Sequence, residues 1–132
     1  MTRILRFRVE KLIRDKLPEI MRAAGLRVFE RTLETPEFIE SLKTKLAEEA
    51  AEVASAGTRQ EMLEELADVM EVVLALTECH GFTLADLEAK RIAKRDARGD
   101  FSARTYNAAV EADEGCAATA YYLARPDQYP RL

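Results

Sequence analysis

The chain has 132 residues, of which 48% are hydrophobic and 33% charged, with 5 Gly, 4 Pro and no Trp. That balance excludes a wholly disordered, collagen-like or disulfide-stapled protein and favours helices over a turn-rich β sandwich or barrel. The net charge of −4 hides a pattern: residues 1–46 carry net +4, residues 47–88 carry 1 basic and 11 acidic side chains, and residues 89–132 carry net +2. An acidic middle with basic flanks is a poor surface for duplex nucleic acid, which wants one broad positive face, and suits a site holding cations and a polyphosphate together. Cys79 and Cys116 have neither metal-ligand spacing nor a disulfide framework, no apolar run approaches the ~20 residues of a membrane span, and no charged-then-apolar leader opens the chain. A cytoplasmic protein of one domain, residues 1–132, not associated with a membrane, is therefore expected.

In chain order, residues 3–9 partly alternate and read as a short strand or an extended arm. Pro18 and Gly25 bracket a short helix over 19–24. Residues 26–33 read as extended, able to pair with the first arm. A longer helix follows Thr35-Pro36, with Thr35 as N-cap, and runs to about Ser55 before Gly57. Thr58-x-x-Glu61 is a capping box opening the next helix, which reaches Cys79 or His80 and stops at Gly81. Thr83 opens another that ends near Arg98 with Gly99 as its cap. Three helices joined by such short loops predict an all-α, antiparallel helix bundle.

The faces of these helices carry the chemistry. Ile39, Leu42, Leu46 and Val53 form an apolar stripe, and at ~100° per residue Glu49 projects within it. Glu52 lies one turn on at the stripe's edge, and Glu48 sits further round. In the next helix Met62, Leu66, Val69, Val73 and Leu76 form the stripe, Glu65 and Asp68 lie along its flank, and Glu64, Glu71 and Glu78 fall on the solvated side. Carboxylates held against an apolar seam cost several kcal/mol per unpaired ion, so something must neutralise them. Residues 47–88 offer Arg59 as their one basic side chain, and protonation serves one or two carboxylates rather than four. Divalent cations remain, and hard oxygen ligands suit Mg²⁺ or Mn²⁺ better than zinc.

Glu48-Glu49-x-x-Glu52, then 12 residues, then Glu65-x-x-Asp68, resembles the E-E-x-x-E…E-x-x-D signature of the MazG-like all-α nucleoside triphosphate pyrophosphohydrolases, a superfamily that includes dimeric dUTPases and phosphoribosyl-ATP pyrophosphohydrolase. Lys11-Leu-Ile-Arg14-Asp15-Lys16-Leu-Pro18-Glu19-Ile20 resembles the opening of the phosphoribosyl-ATP pyrophosphohydrolase-like branch. Lys90-x-x-x-Lys94-Arg95-x-x-Arg98-Gly99-x-Phe101 is similar to its close, with Asp100 where a second Gly is common. These matches run from about residue 10 to 101 and leave the tail, 102–132, unassigned.

The resemblance implies cleavage of a nucleotide between its α- and β-phosphates, giving a monophosphate and pyrophosphate. It implies Mg²⁺ ligands at Glu49, Glu52, Glu65 and Asp68, and Glu48 as the group that orients or deprotonates the attacking water. Lys11, Arg14, Lys16, Lys90, Lys94 and Arg98 would hold the phosphates. The family habit of dimers or tetramers implies a homo-oligomer. Two rival readings stand beside the house-cleaning hydrolase: the phosphoribosyl-ATP enzyme of histidine synthesis, and a non-catalytic helical module that binds a nucleotide or a protein. Tyr106, Tyr121, Tyr122 and Tyr129 read as packing for the C-terminal segment, with base stacking as the alternative.

Overall fold

The computed structural model describes residues 2–132, which form five helices and no strand. They are α1 (Leu17–Ala23), α2 (Thr35–Ser55), α3 (Arg59–Cys79), α4 (Leu84–Arg98) and α5 (Thr119–Leu123). The chain divides within α4 into two compact units, one ending at Lys94 and the other Arg95–Leu132.

Most helix boundaries are set locally. Pro18 lies in the first turn of α1, where its missing N–H costs nothing, and Gly25 follows the helix at φ +94°, a conformation that penalises any Cβ. Thr35 is the first residue of α2 rather than its cap; Glu34 takes that position without a capping side chain. The Thr58 hydroxyl accepts from the Glu61 N–H at 3.1 Å, while the Glu61 carboxylate reaches back one residue further than expected, accepting from Gly57 N–H at 2.9 Å. Thr83 and Asp86 close a reciprocal box at the start of α4, with bonds of 3.1 and 2.9 Å.

The segments at 3–9 and 26–33 pair neither with each other nor with anything else as strands. The second is tied instead by side chains: Arg22 donates to the Val28 carbonyl at 3.1 Å and to Glu30 at 2.5 Å, and Arg31 to Glu37. The first lies extended and exposed, with Arg6 stacked 4.7 Å over the Phe29 ring.

The bundle of the first unit is built by α2 and α3, which the short 56–58 turn makes antiparallel neighbours. Leu42, at 3% exposure, and Val72, at 8%, are its buried apolar centre. α4 packs on neither α2 nor α3. Three packed neighbours were expected; the physical reason for two is that α4 carries only Leu84, Leu87 and Ile92 among its large apolar residues, too thin a stripe to hold it down.

α3 keeps most of its expected stripe, with Met62, Val69, Val73 and Leu76 half-buried and Leu66 exposed. Val72 is its buried residue, Glu65 and Asp68 are half-buried on the same side, and Leu63, Leu66 and Met70 remain 63%, 49% and 58% exposed. The apolar arc of α3 is wider than one partner helix can cover.

In the second unit α5 carries Tyr121 and Tyr122, whose rings meet that of Tyr129 at 5.8 and 5.0 Å, and Arg125 stacks 4.0 Å over Tyr121. These three aromatics pack against each other, and Tyr106 is exposed.

Candidate metal and phosphate site

The period of α2 brings Leu42, Leu46, Glu49 and Val53 onto its facing side, and Glu49 is buried there at 9% exposure. Across from it α3 presents Glu65 and Asp68, one turn apart. One carboxylate oxygen from each of Glu49, Glu65 and Asp68 lies within 4.8 Å of the others. The donor set is all hard oxygen, with neither His nor Cys, which suits Mg²⁺ or Mn²⁺ better than zinc. Glu52 is exposed and stands outside this trio, but its charge reaches Glu65.

Protein cations partly balance the cluster. Lys11 Nζ sits 3.1 Å from Glu48 Oε1, and Arg14 donates to Asp68 Oδ1 at 2.7 Å. Lys45, on α2 itself, lies 3.6 Å from Glu48 and 3.5 Å from Glu49. Lys45 lies just before the acidic stretch that begins at residue 47, and its signal in the sequence is the K-x-x-E-E spacing, which puts one ammonium at i−3 and i−4 of two carboxylates.

The two kinds of neighbour move the acids in opposite directions. The hydrogen bond from Lys11, aided by the charge of Lys45, holds the Glu48 carboxyl below its usual range against the opposing effect of burial. Loss of hydration pushes Glu65 up, reinforced by the charges of Glu52, Asp68 and Glu49. A raised folded value means that protonation favours the fold. The contribution of Glu65 is therefore present below the unfolded carboxylate pKa and is lost as pH rises through the folded one. Metal-free Glu65→Gln should gain stability relative to the parent as pH is raised from 4 to 7, read as a widening gap between melting temperatures; a gap constant with pH would contradict the strained cluster.

Of the phosphate-binding candidates, Lys11 and Arg14 meet the acids, whereas Lys16, Lys90 and Lys94 are exposed and form no ion pair among the described residues. Arg98 is exposed and belongs to the second unit.

Two antiparallel helices thus bring Glu49 of E-E-x-x-E and both acids of E-x-x-D together between them, an all-oxygen cluster that could hold a divalent cation. Residues 37–100 match the sequence profile of the MazG nucleotide pyrophosphohydrolase domain, a match consistent with the MazG-like superfamily. An uncharacterized protein of Mycolicibacterium smegmatis is 44% identical over 54 residues, which cover 41% of this chain and 55% of that protein. The match thus spans about half the relative's length. No solved structure matches the chain. Among the described residues no helix is long and apolar enough to cross a membrane.

Proposed function

We propose that the chain is a Mg²⁺-dependent nucleoside triphosphate pyrophosphohydrolase, cutting between the α- and β-phosphates and serving to clear unwanted nucleotides from the cytoplasmic pool. The observation that carries this reading is the convergence of Glu49, Glu65 and Asp68 from two helices within 4.8 Å, with Glu48 on the turn beside them.

In this reading Glu49, Glu65 and Asp68 hold the cation, with Glu52 at the rim as a further ligand. A bound Mg²⁺ or Mn²⁺ supplies the positive charge that phosphate oxygens need as charge builds on them. Glu48, with Lys45 remaining beside it on α2, accepts a proton from the attacking water as the water oxygen bonds to phosphorus. The bridging P–O bond breaks, and nucleoside monophosphate and pyrophosphate leave. Lys11 and Arg14, 54% and 58% exposed at the end of an extended arm, exchange their carboxylate partners for phosphate oxygens. Lys16, Lys90 and Lys94 are the remaining phosphate-holding candidates of the first unit.

A homo-oligomer belongs to the same proposal. Leu63, Leu66 and Met70 make an exposed apolar face on α3 beside the acid cluster, and a second copy of this chain is the natural cover for it.

A panel of nucleoside triphosphates and phosphoribosyl-ATP, incubated with Mg²⁺ and read by product identity, tests the activity. Monophosphate plus pyrophosphate from one or more triphosphates is expected. Turnover of phosphoribosyl-ATP alone would move the chain to histidine synthesis, and binding without turnover on any compound would make it a non-catalytic module.

A further inference from the structure

Among the described residues, the cations in ion pairs fall into two groups. Lys45 has a side chain only 21% exposed, while every other paired cation is 47% exposed or more. An ammonium withdrawn this far from water forfeits hydration, and a single exposed surface partner would not offset that loss. Lys45 has two partners, at 3.6 Å on Glu48 and 3.5 Å on Glu49, and all three side chains stand on α2 within one turn. Their backbone separations are fixed by the helix, so this arrangement costs less side-chain entropy than a pair recruited from separate segments.

Lys11 and Arg14 differ in both respects. They come from a non-helical segment, remain more than half exposed, and each meets one carboxylate. An incoming cation or phosphate can displace them with little penalty. Displacing Lys45 means breaking two contacts at once, and its Cα stays on the same rigid element as the acids it serves.

We propose that Lys45 is a positioning residue of this site, its ammonium bridging Glu48 and Glu49 so that the water-directing carboxylate and the most buried candidate ligand keep a fixed separation. The inference rests on the functional reading above and extends it to a residue outside the acidic signature. Two adjacent glutamates on a helix diverge by ~100°. One ammonium touching both draws their carboxylates towards a shared side and opposes the repulsion that would splay them. The same positive charge is a competitor for a divalent ion. Lys45 therefore works for geometry and against raw metal affinity, and these effects separate in measurement.

The test uses the full chain with Lys45→Met and Lys45→Arg, followed by metal-free melting, Mn²⁺ binding by calorimetry, and steady-state kinetics on the substrate found in the panel. In Lys45→Met, metal-free melting should fall, because Glu48 and Glu49 lose their shared counter-charge. Mn²⁺ should bind at least as tightly as in the parent, while kcat drops roughly 10- to 100-fold with KM little changed. Lys45→Arg should restore most of kcat, and it carries the test alone if the Met variant fails to fold. An unchanged kcat in Lys45→Met, Mn²⁺ affinity falling in parallel with kcat, or no recovery in Lys45→Arg would overturn the proposal. If the parent releases pyrophosphate from nothing, it is the functional reading that fails. Lys45 is then judged by melting and Mn²⁺ affinity alone: lower melting with undiminished binding supports the bridge, and any other pair of results refutes it.

Discussion

Glu49→Gln should abolish metal-dependent turnover while leaving the helices intact. The amide reproduces the shape of the side chain on the α2 stripe but removes the charge that a cation requires, at the most buried position of the acid cluster. The loss should be at least about 100-fold in turnover, since even outer-sphere changes at metal sites cost 10- to 100-fold. Lys45 keeps Glu48 as a partner in this variant, so no ammonium is stranded. Circular dichroism should be unchanged, and Mn²⁺ binding should fall with the activity. Glu64→Gln, on the exposed side of α3, is the matched control and should behave as the parent. Activity retained in Glu49→Gln would remove Glu49 from the site.

The second large effect concerns stability. Leu42 is 3% exposed and, with Val72, forms the buried apolar centre between α2 and α3. Leu42→Ala deletes apolar volume where the two backbones are fixed by a short turn and cannot collapse to fill it. A loss of about 2–5 kcal/mol is expected, a large share of the roughly 5–15 kcal/mol that holds a typical domain. Denaturant unfolding with and without Mg²⁺ measures it. Leu42 lies two turns before Glu49 on the same stripe, so the variant should also weaken Mg²⁺ binding by loosening the site's wall. A change below about 1 kcal/mol would mean that the α2–α3 seam contributes little to the fold.

Glu49 was legible in the sequence because helical periodicity is a local property. Once Leu42, Leu46 and Val53 define the stripe of α2, the direction of Glu49 follows from 3.6 residues per turn. The start of α3 was legible for the same reason, since Thr58 and Glu61 satisfy backbone groups within four residues of themselves.

The exposure of Leu66 on α3 was not, because the apolar residues of that helix cover more than one side. Of the stripe Met62, Leu66, Val69, Val73 and Leu76, all but Leu66 are half-buried, while the buried residue is Val72 and Leu66 is turned outward. Which part of a broad arc meets which neighbour is decided by packing, and an exposed remainder of Leu63, Leu66 and Met70 is what a helix shared between two copies would show. The counter-cations divide similarly. Lys45 was within reach of local spacing, just before the acidic stretch, whereas the meetings of Lys11 with Glu48 and of Arg14 with Asp68, 54 positions apart, depend on where the arm lies across the helices. Likewise, α4 has good caps at its start, but caps determine where a helix begins and say nothing about what it packs on.

The most direct measurement is the position of manganese in crystals grown or soaked with Mn²⁺, located by its anomalous scattering. A peak within coordination distance of Glu49, Glu65 and Asp68, with Lys45 still bridging Glu48 and Glu49, is the predicted result. Manganese bound elsewhere, or those three carboxylates turned apart into solvent in the presence of saturating Mn²⁺, would contradict it.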